Sequence, residues 1–172
     1  MMVCAALTFG FGMAAHADAS KSTATANSCR DFVQRFYNWY LSPAKSSDVA
    51  LKQKSSMFTP ELKQKLEEDE KASAKSPGEI VGLDFDPFLN AQDDPGHMVA
   101  EKATMKGANC FVEVHRSPRD PREGKKPDVM PELTFKNGQW VFVNFHYPMN
   151  TNPGDGDLLS VLKGLAADRA KH

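Results

Sequence analysis

Cys29 and Cys110 are the residues of this chain with the most chemistry to offer, and which chemistry depends on whether they meet. Cys29 stands near the start of a segment of helical period, Ser28 to Leu41 (SCRDFVQRFYNWYL), and a helix N-terminus is where a thiol pKa falls. With His115 or His146 from later strands as its base, Cys29 would form a nucleophile–base pair for acyl transfer. The same cysteine falls on the apolar stripe of that helix with Phe32, Val33, Phe36 and Tyr40. Cys110 falls on the apolar face of an alternating run, Asn109 to His115, with Val112 and Val114. Two cysteines that both face a core are read first as a disulfide where the compartment is oxidising.

A second constellation is Leu83 to Asp94 (LDFDPFLNAQDD), in which acids alternate with aromatics around a proline. Asp84, Asp86, Asn90 and Asp93 are hard oxygen donors of the kind calcium takes. The spacing is not that of the EF-hand loop, whose sixth-position glycine is absent, and no metal or other cofactor is expected. Two further readings stand beside it. The segment is a structural turn cornered at Asp86-Pro87, the reading the composition favours, or a loop that meets a partner through Asp84, Asp86, Gln92 and Asp93. Trp140, His146 and Tyr147 form a third group that could line a pocket, although a histidine at the end of a core strand is more often a hydrogen-bonded structural residue.

No His-Glu-x-x-His, Gly-x-Ser-x-Gly or phosphate-cradling glycine loop occurs in the chain. The formal charge of −1 leaves no basic surplus to neutralise phosphates, so nucleic acid is not an expected partner. Residues 1–17 read as an export signal: Val3 to Ala15 is apolar or small, and Ala15-His16-Ala17 is the small-x-small pattern of a cleavage site. No Lys or Arg precedes Lys21, so the basic head of the signal is missing and the true start is expected further upstream. The apolar run is too short to span a bilayer, and no lipid-attachment pattern leads into Cys4. The expected organisation is a signal over 1–17, a disordered linker over 18–26 and one domain over 27–172, periplasmic and without a membrane span once processed.

The elements that must position these residues follow from their periods. Asn27 or Ser28 is the expected cap of the first helix. Asp48 to Ser56 reads as a short helix, and Thr59-Pro60-Glu61 opens another that runs to about Ala74. Ile80 to Leu83 reads as a short strand, Met98 to Met105 as a longer one, and Gly107 as the centre of the turn into the Cys110 strand. Ser117 to Pro127, with three prolines and a cluster of basic residues, reads as a solvated loop.

Asn137-Gly138 between two apolar runs predicts a type I′ hairpin. Its register sets Phe135 against Trp140, Leu133 against Phe142, Pro131 against Asn144 and Val129 against His146. Continued alternation puts Val141, Val143, Phe145 and Tyr147 together on the second face, which then needs a cover. The helix expected over Asp157 to Arg169 is the first candidate, with a ligand or a second subunit, as in a homodimer, as the others.

The class is therefore α+β, with N-terminal helices and a C-terminal helix packed on a curved antiparallel sheet of about four strands. The order resembles that of cystatin-like and nuclear-transport-factor-like conical folds.

Three patches carry a closer resemblance: CRDFVQRFYNWYL at Cys29 to Leu41, EIVGLDFDPFLNAQD at Glu79 to Asp93, and WVFVNFHYP at Trp140 to Pro148. Together they resemble the exported bacterial proteins of the YbjP/YqhG type, which share a domain of unknown function. The resemblance implies a Gram-negative envelope setting and carries over no catalytic residues. Ser28-Cys29-Arg30-Asp31-Phe32 is also similar to the nucleophile segment of papain-like cell-wall peptidases. The leading functional expectation is a periplasmic, non-catalytic binding or accessory protein acting on an envelope protein or a small ligand. A cysteine-dependent cell-wall peptidase using Cys29 and an immunity-type inhibitor of a secreted toxin are the rivals.

Overall fold

A computed structural model describes residues 24–79, 81–118, 126–148 and 156–171. The expected signal, most of the expected linker, and Arg119, Arg122 and Lys125 of the basic loop lie outside the described residues.

The first helix, α1 (Ala26–Tyr40), starts earlier than expected because Thr25, not Asn27 or Ser28, caps it. The Ser28 N–H donates to Thr25 Oγ1 at 3.1 Å and the Thr25 N–H donates to Ser28 Oγ at 3.0 Å. This reciprocal pair satisfies two N–H groups, where a lone Asn27 cap would satisfy one. The helix buries Cys29, Val33, Phe36, Tyr37 and Tyr40, so the stripe includes Tyr37 while Phe32 sits at its margin. A short helix α2 (Ser47–Gln53) and a 3₁₀ turn (Ser55–Met57) follow. The next helix, α3 (Pro60–Lys75), opens as its sequence chemistry predicts: Thr59 Oγ1 accepts from the Leu62 N–H and Pro60 occupies the first turn.

The strands β1 (Met98–Lys106), β2 (Asn109–Arg116), β3 (Met130–Lys136) and β4 (Gln139–His146) form an antiparallel sheet in the order β1-β2-β3-β4. The last helix, α4 (Leu158–Arg169), is capped by Asp157. Asn137 and Gly138 have φ of 51° and 80°, as a type I′ turn demands. The expected strand over Ile80 to Leu83 is absent from residues 81–83. The Leu83 N–H instead donates to Asp69 Oδ2 on α3 at 2.9 Å, so this segment is tied to a helix and not to a strand.

The hairpin register holds at Phe135–Trp140 and Leu133–Phe142 and then shifts. Glu132 pairs with Asn144, Pro131 with Phe145 and Met130 with His146, so Val143 is an extra residue in β4. The expected pairs Pro131–Asn144 and Val129–His146 are corrected by one position. A bulge inverts the alternation beyond it, so Trp140, Phe142, Phe145 and Tyr147 all enter the core. The second face therefore holds Val141 and Val143 but not Phe145 or Tyr147, and the large apolar area expected there does not exist.

The core lies between the sheet and the helices. Phe36 of α1 stacks on Tyr40 and meets Phe58, Phe88 and Phe142 edge-on, with centroids 4.9–6.1 Å away. α1 packs on β1 and β2, while α4 packs on α3 and on the edge strand β4. The free edge of β4 is met by Phe58 beside Phe142, and by Asp157 beside His146. Among the described residues no helix is long and apolar enough to cross a membrane.

Candidate functional site

Cys29 and Cys110 are joined as a disulfide with their Cα atoms 6.6 Å apart, and both are fully buried. The bond ties the first turn of α1 to the start of β2. In this state Cys29 has no thiol to act as a nucleophile.

The Asp84–Asp94 segment is built as a turn held from within. Asp86 Oδ1 accepts from the Phe88 and Leu89 N–H groups at 2.8 and 3.2 Å, and Oδ2 accepts from Tyr40 Oη at 2.5 Å. Tyr37 Oη donates to the Phe88 carbonyl at 2.7 Å and Tyr147 Oη to the Pro87 carbonyl at 2.9 Å. Three buried tyrosines, two on α1 and one just after β4, thus hold three consecutive residues. Burial pushes the Asp86 carboxyl up, against the hydrogen bonds from Tyr40, Phe88 and Leu89 that favour its charge. Burial likewise raises the Tyr37 and Tyr147 phenols, which stay protonated as donors. Asn90 takes φ of 51° and donates to the Asp128 carbonyl.

Asp84, Gln92 and Asp93 are exposed, and Gln92 donates to the Asp84 carbonyl at 3.3 Å. Among the described residues no group of His, Cys, Asp or Glu is placed to hold a metal ion.

Trp140, His146 and Tyr147 are not brought together. Trp140 and Tyr147 are core residues, and the Trp140 indole N–H donates to Ser28 Oγ at 3.0 Å. His146 stands on the opposite, outer face of the sheet.

That outer face carries a constellation the sequence did not single out. Phe111, Glu132 and His146 come from β2, β3 and β4 and lie on one surface because Phe111 pairs with Glu132 and the β4 bulge carries His146 to the same side. Glu132 Oε2 lies 2.9 Å from His146 Nε2, and Glu132 Oε1 accepts from Asn109 Nδ2 at 2.6 Å. Phe111 is half-buried, with the His146 ring centroid 5.6 Å from its own and Lys106 Nζ 4.7 Å over its face. Beside them, Lys102 meets Glu113 and Glu101 meets the buried His115, each at 3.6 Å. Straight alternation through Val143 could not have shown Glu132 beside His146, because only the bulge creates that diagonal.

Two grooves of comparable size lie elsewhere. One of about 550 Å³ runs between α3 and α4, lined by Ala72, Lys75, Val81, Leu165 and Arg169. Its floor is structural: Arg169 Nη1 holds Asp69 Oδ1 at 2.6 Å and the Val81 carbonyl at 2.8 Å. The other, about 530 Å³, lies between Tyr37, Leu41, His97 and Met98 beside β1. The predicted site residues line neither groove.

No family model, curated protein or solved structure matches the chain.

Proposed function

We propose that this chain is an exported, non-catalytic binding module that meets an envelope or secreted protein through the outer face of its sheet. The observation that carries the reading is the setting of Phe111. It is a half-buried aromatic on the open sheet, braced by Lys106 and by the His146 ring, beside a Glu132 carboxylate that Asn109 and His146 both hold. An aromatic held in place before binding loses little freedom on contact, and such residues carry much of the energy of interfaces.

The bond between two buried cysteines supports a life outside the reducing cytosol, and the apolar Val3 to Ala15 segment with its Ala-His-Ala end supports export. The resemblance to YbjP/YqhG-type proteins points to the same envelope setting. The peptidase reading needs Cys29 as a thiolate, and the disulfide consumes that group.

A photo-crosslinking residue at Thr104, in the full chain produced in a Gram-negative host, tests the proposal. A discrete adduct in the periplasmic fraction is expected, lost on Phe111→Ser and kept on substitution of exposed Lys71. Absence of a discrete adduct, or an adduct indifferent to Phe111→Ser, would overturn it.

A further inference from the structure

We propose that β1 takes up an added strand, namely an acidic, extended segment of the partner. This deepens the binding-module reading and rests on it. β1 is an edge of the sheet, and hydrogen-bond phase shows which of its groups face outward. The Val114 N–H donates to the Val129 carbonyl of the segment entering β3, so Ala100, opposite Val114, turns its own N–H away from β2.

Gln34 of α1 takes that group: Oε1 accepts from the Ala100 N–H at 2.8 Å and Nε2 donates to the Met98 carbonyl at 3.0 Å. The side-chain amide thus acts as a short piece of strand along this half of the edge. A register shift between Ala100 and Ala103 then carries the outward phase to Ala103 and Met105. The two-residue turn at Gly107 agrees, since it makes Lys106–Asn109 a hydrogen-bonded pair and leaves Met105 and Ala103 facing out. Beyond the reach of Gln34, this stretch offers a strand its N–H and C=O groups. Among the described residues the exposed large hydrophobics, Val99 and Met105, are both on β1, at 39% and 38% exposure.

Charge decides the occupant. Thr104 pairs with Phe111, and Lys102 reaches Glu113 on the same outer face, so Lys102, Thr104 and Lys106 share that face along the edge. A second copy of β1 is a poor occupant. Antiparallel self-pairing must match outward residues with outward residues: Ala103 with Met105, Ala103 with itself, or Met105 with itself. These registers set Lys102 opposite Lys106 of the copy, Lys102 diagonal to Lys102, or Lys106 diagonal to Lys106, and like charges so placed repel. A segment alternating acidic and small apolar residues meets the lysines on one face and Ala103 and Met105 on the other. Main-chain bonds would supply affinity and the lysines would supply choice.

The test uses the purified full chain and two short synthetic peptides, one alternating Glu with Val and one alternating Lys with Val, read by fluorescence anisotropy and by amide exchange at Ala103 and Met105. The Glu/Val peptide is expected to bind, to slow exchange at both amides and to weaken as salt rises. Ala103→Pro removes an outward N–H without touching the β1–β2 ladder and is expected to weaken binding tenfold or more. The double change Lys102→Glu with Lys106→Glu is expected to reverse the preference between the peptides, an outcome that loss of folding cannot produce. Equal binding of the two peptides, no binding of either, or indifference to Ala103→Pro overturns strand addition. Dimerisation abolished by Ala103→Pro overturns it in favour of a second copy. If strand addition fails while the Thr104 adduct still depends on Phe111, the binding-module reading stands alone; if that adduct is also missing, both fall.

Discussion

Phe142 and Phe145 stand three positions apart on one strand and both point into the core, their ring centroids 5.1 Å from each other. Strict alternation would send one of them to the opposite face. The extra residue Val143 is what lets both enter, and it also sends Asn144 and His146 outward. Phe145→Ala is expected to cost about 3–5 kcal/mol and Val143→Thr less than about 1.5 kcal/mol. Urea unfolding of the two variants checks this, and equal losses would mean the bulge is not there.

Tyr40 to Asp86 is the bond that fixes the acidic loop on α1. Tyr40→Phe leaves Asp86 Oδ2 short of a donor in a largely buried position, at an expected cost of about 2 kcal/mol. Asp84→Ala and Asp93→Ala, at exposed positions, are expected to stay within about 0.5 kcal/mol of the parent. If calcium nonetheless raised the melting temperature of the parent but not of Asp84→Ala, the structural reading of the loop would be wrong.

Gly82 is a close-approach position. A Cβ there would strike Ser73 Oγ and come within 2.8 Å of Asp69 Oδ2, the atom that accepts from the Leu83 N–H. Gly82→Ala is expected to destabilise by about 1–3 kcal/mol, and adding Ser73→Gly to recover part of that loss. A double-mutant cycle with no coupling would show that α3 does not seat this segment.

Asp157 caps α4. Burial works against its charge, but hydrogen bonds from Asn144 and Ser160 outweigh it and hold the carboxyl below its ordinary value of 3.8. A depressed carboxylate contributes stability that is full above the unfolded value and is lost as pH falls through the lower folded one. The stability advantage over Asp157→Asn should therefore be flat above about pH 4 and shrink below it. Asp86, raised by burial, has the opposite sign: its contribution is full below the unfolded value and is lost as pH rises through the folded one. Chemical unfolding of parent and Asp157→Asn across the acid range reads the difference, and an advantage that grows on acidification refutes the assignment.

Cys29→Ser with Cys110→Ser removes a bond across 81 positions of chain and is expected to cost about 2–5 kcal/mol. Thiol titration of the denatured, unreduced chain processed after Ala17 should find no free thiol.

What the sequence determined by itself was local or periodic. The Thr59-Pro60 start of α3, the I′ turn at Asn137-Gly138, the facing of Cys29 and Cys110, and the α+β class each follow from a few adjacent residues or a single period. The turn chemistry of Asp86-Pro87 was legible for the same reason, since Asp86 bonds its own neighbours. Tertiary structure decided what depends on distant partners. Period-2 reasoning cannot see an inserted residue, so the β4 bulge and the Phe111–Glu132–His146 group it assembles were invisible. Nor does any local pattern announce that Gln34 will lie along β1, or that Arg169 will hold Asp69 from 100 positions away. The turn that composition favoured at Asp86-Pro87 proved to be locked by three tyrosines from elsewhere in the chain, and the face that alternation marked as a run of four large apolar residues carries Glu132, Asn144 and His146 beside Val141 and Val143. Both outcomes have one cause: burial is assigned by packing across the whole chain, and a strand may gain a residue wherever that packing favours it.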